Sequence, residues 1–449
     1  MNKIYLTEYS VRGIKSLDQL VTLSFYKKTM SKHPDTDGYN IKGIYGKNGT
    51  GKSGIVSSIM ILQNILTNNM YLNNIVIQQN LDSIINKKTN KLDIHATFFV
   101  DKKDGAIMMK YEVCIGKNEM NEYVIQYENV YLKEGVSSSA TMKPMIQVQN
   151  GVIAYIDKAS ESPEINECRE KSLNLLSKTS VCRIFVETMI RTANPNEIKN
   201  KLINSLFDLF DFATRLNFYL EDSDEHKIYL IRNMLDSEEY LNNPIIREHI
   251  MNSRLSRQQS LKASRNQVFK EHYNDFKLMV DSLFNFLHIF KQELREIEID
   301  RKEDRFTYNC DLVMVYDDYK INAEYESTGI KKLIKLYTYL DTMVSGGIVF
   351  IDEFDSNLHD VYLCALLEYL MEYGHGQLCF TTHNVGPMDI LRRNKNSIDF
   401  LSENHKIYPW IKNGNYSPSK LYRNGMIEGS PFNIESFDFI SAFHNDEED

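Results

Sequence analysis

The sequence predicts an α/β chain: a parallel sheet whose strand ends carry a phosphate-binding loop, an antiparallel N-terminal β lobe, and a mainly helical insertion. Two observations predict the parallel sheet. Residues 46–53 read Gly-Lys-Asn-Gly-Thr-Gly-Lys-Ser, between a short apolar strand with Ile41, Ile44 and Tyr45 and an amphipathic helix that starts at Gly54. Far downstream, Ile348 to Ile351 form an unbroken apolar run ending in Asp352 and Glu353. Such a run is the pattern of a strand buried on both faces of a parallel sheet.

The loop comes first in chain order. Its glycines let the backbone wrap closely, so that successive N–H groups and the following helix N-terminus face an anion. Gly46, Asn48, Gly49, Gly51, Lys52 and Ser53 are therefore the candidate nucleotide contacts. Lys52 is placed to reach the β- and γ-phosphates, and the Ser53 hydroxyl to ligate Mg²⁺. The motif implies a bound nucleoside triphosphate, with ATP and Mg²⁺ as the expected cofactors.

Three downstream elements supply what such a loop needs. Asp352, at the end of its buried strand, is the second candidate Mg²⁺ contact, through water. Glu353 is placed to orient or deprotonate an attacking water. An acidic pair at the carboxyl end of a buried strand is costly unless a metal and a water occupy the site. His383 ends another apolar strand, Leu-Cys-Phe-Thr-Thr-His from Leu378, and can hydrogen-bond the γ-phosphate or the water. Ahead of both, Ser327 is a good N-cap for a helix running to about Thr342, and Gly329 leaves backbone N–H groups open to an anion.

Composition sets the outer limits. At 449 residues the chain is long for one domain, so a core with a large insertion is expected. The content of 42% hydrophobic and 25% charged residues is ordinary for a globular protein. The opening residues lack the apolar segment of a signal peptide, and no run of eighteen apolar residues offers a membrane span. Six scattered cysteines without a C-x-x-C pair point to a reducing cytosol and away from zinc. These features predict a cytoplasmic protein without a membrane partner. The net charge of -9 means that any nucleic-acid contact must come from a local patch.

Together, the loop, the Ser327-Thr-Gly329 segment, the Asp352-Glu353 pair and His383 resemble the ATP-binding-cassette (ABC) ATPases, specifically the soluble branch of SMC, recombination and OLD (overcoming lysogenisation defect) proteins. The opening Tyr5-Leu-Thr-Glu-Tyr-Ser-Val-Arg-Gly-Ile looks like the first strand of that branch, which implies that Arg12 lies near the adenine. The segments Ile94-His-Ala-Thr-Phe-Phe-Val and 123–132, and the tail from Ser417, resemble OLD-like defence ATPases of bacteria. His359 stands where transporter cassettes carry an aspartate, which favours the same branch. The resemblance covers residues 1–65, 95–132 and 320–390. It implies a homodimer or higher homo-oligomer closing around ATP, with Ser327 and Gly329 of one subunit capping the nucleotide held by Lys52 of the other. It further implies the sensor ATPase of an anti-phage (abortive-infection) system controlling a separate effector. The alternative is a DNA-repair or chromosome-maintenance ATPase that clamps DNA directly. The glutamine that senses the γ-phosphate is not fixed by any segment; Gln78 and Gln79 are candidates.

The expected organisation is a first half-core at 1–134, an insertion at 135–305 and a second half-core with a tail at 306–449. Within the insertion, Phe269, Tyr273, Phe276, Val280, Leu283, Leu287, Phe290, Leu294 and Ile297 alternate spacings of four and three, predicting one long helix with an apolar stripe packed on the insertion's other helices or, as the alternative, in a dimer coiled coil. Upstream, Arg254, Arg257, Lys262, Arg265 and Lys270 have no acid between them; on a helix this 254–270 run is a candidate phosphate-binding face, a solvated face or a partner-docking surface. The insertion also carries the aromatic-rich stretch Leu206-Phe-Asp-Leu-Phe-Asp-Phe-Ala, expected as binding surface. Arg265-Asn266 followed by His272 fits the loose R-x4-6-H ribonuclease pattern, a match expected by chance in this composition. Only 66 residues follow His383, too few for the TOPRIM nuclease of many OLD proteins.

Overall fold

The computed structural model describes residues 3–27, 30, 34–36, 38–102, 105–136, 141–173, 177–192, 200–221, 261–304, 307–411 and 416–430. Three sheets organise them. The first is antiparallel, built from β1 (Lys3–Arg12), β2 (Val21–Ser24), β4 (Lys91–Asp101), β5 (Ile107–Lys117), β6 (Tyr123–Glu134), β7 (Lys143–Gln149) and β8 (Val152–Ile156), in the order β2-β1-β4-β5-β6-β7-β8.

The second sheet holds the phosphate loop. Its order is β17 (Ile407–Pro409), β16 (Ile398–Leu401), β3 (Ile41–Tyr45), β15 (Gln377–Thr381), β14 (Ile348–Ile351) and β9 (Leu216–Tyr219). All neighbours are parallel except the β16–β17 hairpin. The predicted double burial of β14 is observed. Ile348 and Phe350 enter the core shared with the antiparallel sheet, while Val349 and Ile351 enter the core on the opposite face. α1 (Lys52–Thr67) fills the first of these layers, where Tyr9 of β1 hydrogen-bonds Ser58 at 2.6 Å. α7 (Thr328–Val344) and α8 (Asp360–Tyr373) cover the other face. A buried ion pair, Lys42 Nζ to Asp399 at 2.8 Å, ties β3 to β16 beneath the loop.

α2 (Ile75–Ile84) follows α1, and α3 (Pro163–Leu173), α4 (Val181–Thr192) and α5 (Lys201–Arg215) follow the antiparallel sheet. The aromatic stretch expected as binding surface lies on α5, where Leu206, Leu209, Phe212 and Ala213 are buried and Phe212 stacks on Phe98 of β4 with ring centroids 4.0 Å apart. It is core because burying 150–250 Å² of each aromatic side chain contributes more than exposing it.

The third sheet comprises β10 (Asn266–Phe269), β11 (Glu296–Glu303), β12 (Thr307–Val315) and β13 (Lys320–Asn322), backed by α6 (Tyr273–Phe290). The span 135–305 is therefore not one helical lobe. β7 and β8 extend the first sheet, β9 belongs to the parallel core, and residues 261–325 form a compact α/β lobe. The apolar periodicity holds within α6, where Phe276, Val280, Leu283 and Leu287 are buried. Phe269 and Ile297 instead lie on strands, and Leu294 in the turn between α6 and β11, because a strand and a helix packed on one core can share a spacing of three or four by coincidence.

Candidate nucleotide site

Parallel pairing assembles the site. β15 lies between β3 and β14, with Thr381 opposite Ile44 and Phe380 opposite Ile351, so the carboxyl ends of the three strands are level. The phosphate loop leaves β3, the Asp352-Glu353 pair leaves β14, and His383 leaves β15. Residues separated by 300 positions thereby share one sheet edge, the place where open α/β sheets bind ligands.

The loop has the form the sequence predicts. Gly49 and Gly51 adopt φ of +79° and +101°, conformations natural to glycine. A Cβ on Gly51 would meet Leu17 at 2.5 Å, so the loop packs against the turn after β1 with no room for a side chain. Ser16 in that turn donates to Gly49 O at 2.9 Å. α1 begins at Lys52 without a side-chain cap or an acid in its first turn, which leaves its leading N–H groups for an anion. Lys52 is buried, and its ammonium donates to Gly46 O and Lys47 O, both at 2.8 Å. Burial pushes its pKa down to about 8, against the opposing pull of Asp352, Glu353 and Asp355. Ser53 is half-buried one residue further on, and Asn48 is exposed at the loop tip.

The acidic pair is organised by Thr381. Its hydroxyl donates to Asp352 Oδ1 at 2.5 Å and accepts from Glu353 N at 2.9 Å. Glu353 is exposed and takes φ +49°, a left-handed conformation uncommon outside glycine, asparagine and aspartate. Phe354 N returns to Thr381 O at 3.0 Å, so the chain turns sharply and Glu353 is left at the open edge. The Oδ1 of Asp355 is buried without a hydrogen-bond partner, a further carboxylate oxygen within electrostatic reach of Lys52. His383 is exposed; burial of its ring and then the Lys52 charge push it below its ordinary value, opposed by Asp355, Glu353 and Asp352.

These residues fit a nucleotide with Mg²⁺: an uncapped helix end and a buried ammonium for phosphates, a hydroxyl and a hydrogen-bonded aspartate for the cation. Mg²⁺ of this kind takes only one or two protein carboxylates and completes its shell with phosphate and water.

The signature segment takes its predicted form at the start of α7. Ser327 caps α7, accepting from Ile330 N at 3.4 Å, and both Ser327 and Thr328 are exposed. A Cβ on Gly329 would meet Asn357 O at 2.8 Å, so the segment abuts the turn after the acidic pair of its own chain. Arg12, at the end of β1, donates to Asp18 O at 3.0 Å and thereby closes the turn that supports the phosphate loop. His359 caps α8.

Gln78 is excluded as a phosphate sensor. Its amide bonds Leu72 O at 2.7 Å and Tyr123 O at 3.0 Å and accepts from Tyr123 N, which locks it between α2 and β6; Gln79 is exposed on α2. The basic run also dissolves as a helical face. Lys262 and Arg265 precede β10 in a loop, and Lys270 pairs with Glu303 at 2.5 Å, while Arg254 and Arg257 lie outside the described residues. Sequence reasoning missed Thr381, although a threonine two residues before a strand-terminal histidine was visible, and it missed Glu326, Lys332 and Ser356, whose roles depend on tertiary contacts.

A loop-bearing parallel sheet, an acidic pair and a histidine on adjacent strand ends, and a serine-capped helix leading into the acidic strand define a P-loop nucleotide-binding fold. Residues 191–389 match the family described as "AAA domain, putative AbiEii toxin, Type IV TA system". No curated protein matches the chain. Among solved structures, the chain is similar to the recombination mediator protein RecF of the RecFOR pathway, at 14% identity and TM-score 0.39 over 91% of this chain and 99% of that one. It is also similar to the SMC head domain from Thermotoga maritima, at 12% identity and TM-score 0.34 over 91% of this chain and 100% of that one. Among the described residues, no helix is long and apolar enough to cross a membrane.

Proposed function

We propose that this chain binds and hydrolyses ATP with Mg²⁺, dimerises around the nucleotide, and serves as the cytoplasmic sensor ATPase of a bacterial anti-phage system that controls a separate effector. The observation that supports hydrolysis is the common sheet edge shared by Lys52, the Thr381-braced acidic pair and His383. In this reading Lys52 and the α1 N-terminus hold the phosphates, Ser53 and Asp352 hold Mg²⁺, which supplies charge neutralisation, Glu353 positions water, and His383 contacts the γ-phosphate. Support for dimerisation is the signature serine, which caps α7 and is exposed, open to a partner's nucleotide. The defence role draws on the family description of residues 191–389. The lobe at 261–325 is the part of the chain that sets partner choice in this proposal, because the core residues are committed to nucleotide chemistry.

Glu353→Gln tests the core of the reading. It should abolish turnover and trap an ATP-dependent dimer by light scattering, whereas Lys52→Ala should bind ATP poorly. Turnover at the unmutated rate in Glu353→Gln would sink the assignment.

A DNA-clamping ATPase is the second reading. An open groove of about 560 Å³ on the lobe, lined in part by Lys262, Arg265 and Lys302, offers a place for a phosphate backbone. Asp300 and Asp311 line the same groove and weaken that attraction. Steeply salt-dependent duplex binding, lost on reversing Arg265 and Lys302, would favour the clamp; co-purification with the product of a neighbouring gene would favour the controller.

A further inference from the structure

Lys332 is a buried lysine that the nucleotide chemistry does not use. It lies on α7, five positions beyond Ser327, and its side chain is only 1% exposed. Burying an ammonium is costly unless partners compensate it, and three side chains supply them. The Nζ donates to Ser356 Oγ at 2.9 Å, lies 3.5 Å from Glu221 Oε2, and sits 4.4 Å from the centre of the Tyr219 ring. Both protein segments it touches lead to the acidic pair. Ser356 N bonds Glu353 O at 3.1 Å, which closes the turn after β14, and Tyr219 O accepts from Asp352 N at 3.0 Å. Burial depresses the lysine's pKa, with the Glu221 carboxylate opposing, as expected of a desolvated but compensated cation.

We propose that Lys332 is a positioning residue that couples the signature end of α7 to the turn carrying Glu353, so that engagement of Ser327 by a partner's nucleotide sets the water-positioning carboxylate of the same subunit. The inference rests on the dimer reading above. α7 is a rigid rod, so a displacement of its N-terminus is carried to Lys332 within two helical turns. The Lys332–Ser356 bond passes that displacement to the backbone that places Glu353. Hydrolysis at one site would then depend on closure at the other, because each subunit gives its signature to one nucleotide and its glutamate to the second.

The test compares Lys332→Met, Ser356→Ala, the double variant and Lys332→Arg, using ATP turnover, fluorescent-ATP binding and ATP-dependent association in the Glu353→Gln background. Methionine keeps the apolar stem, and the Glu221 carboxylate it leaves behind is 52% exposed and can be solvated by water. Ser356→Ala removes the bond from the half-buried partner and serves if Lys332→Met does not fold. Expected results are kcat lowered roughly three- to thirtyfold with nucleotide affinity and association retained, a double variant no slower than the slower single, and partial recovery in Lys332→Arg. An unchanged kcat in both single variants, additive losses in the double, or loss of affinity in step with kcat would overturn the coupling. Failure of the Glu353→Gln protein to associate with Lys332 intact would instead overturn the dimer reading, a separate result.

Discussion

The Thr381 hydroxyl donates to Asp352 Oδ1 at 2.5 Å while accepting from the backbone N–H of Glu353 at 2.9 Å. One side chain on the middle strand therefore fixes both members of the acidic pair on its neighbour. It orients the aspartate by a direct bond, and it helps to hold the left-handed backbone of Glu353 by satisfying the N–H that the turn would otherwise strand.

Replacing Thr381 by valine keeps the β-branched shape and deletes both bonds. Because outer-shell partners of a metal-holding carboxylate typically contribute 10–100-fold to metal affinity or activity, Thr381→Val should raise the Mg²⁺ concentration needed for half-maximal turnover by roughly tenfold or more. Thr381→Ser should behave close to the unmutated protein. A Mg²⁺ titration of ATP turnover decides it, and an unchanged midpoint in Thr381→Val removes Asp352 from the cation site.

Lys52 makes nucleotide binding sensitive to pH above neutrality. Burial pushes its pKa down to about 8, so much of the ammonium is lost between pH 7 and pH 9. Phosphates need the charged form; ATP should bind about tenfold more weakly at pH 9 than at pH 7, with proton uptake on binding seen by calorimetry in buffers of different ionisation enthalpy. The stability effect has the opposite sign. The unfolded chain holds the proton up to its ordinary value of 10.5, so Lys52 adds stability fully present above that value and lost as pH falls through about 8. Lys52→Met should flatten both dependences.

Two glycines of the phosphate loop separate conformational strain from crowding. Gly49 has φ +79° and open space where a Cβ would stand, with no atom within 4 Å, while Gly51 has φ +101° and Leu17 at 2.5 Å from that position. Gly49→Ala should cost about 1–2 kcal/mol from left-handed strain alone. Gly51→Ala should cost on the order of 1–2 kcal/mol more by adding a clash at the start of α1, and should weaken ATP binding by moving the leading N–H groups. Equal denaturation midpoints for the two variants would contradict this.

Much of the candidate nucleotide site was legible because its parts are local motifs. A glycine-rich loop, an apolar strand ending in acids and a serine before a helix each carry their meaning within about ten residues. What escaped was whatever depends on residues far apart in sequence. β9 is only four residues long, Leu216–Tyr219, and reads as the end of a helical stretch until its pairing with β14 is seen. Thr381 looked like one more strand residue because its two partners sit on another strand. The apolar stripe around α6 extended too far because Phe269 and Ile297 face the same core from strands. Gln78 shows the converse: its place in the sequence suited a sensor, but three bonds to Leu72 and Tyr123 commit it to holding α2.

The lobe at 261–325 meets the signature through Glu326, the residue immediately before Ser327. The Glu326 side chain is 6% exposed; it accepts from Tyr316 OH at 2.5 Å and from Lys291 Nζ at 2.9 Å, so it joins the end of α6 and the end of β12 to the start of α7. Burial alone would push its carboxyl up, but the Tyr316 hydroxyl and the Lys291 ammonium outweigh burial and hold it below the usual range. The sign follows from that direction. The stability it contributes is present above the ordinary glutamate value and lost as pH falls through the lower folded value. Lys291→Met removes the cation and leaves a buried carboxylate held only by the Tyr316 hydroxyl and the Ser327 N–H, at a cost of about 1–3 kcal/mol at pH 7. The difference from the unmutated protein should shrink as pH falls from 7 through the lowered folded value of Glu326, where the unmutated protein also takes up the proton. Denaturant unfolding across that range checks the energetics. ATP turnover of the same variant checks the link to Ser327: if lobe and signature are joined here, turnover falls while ATP binding at Lys52 persists, and a variant with full turnover but lowered stability would make Glu326 a strut and nothing more.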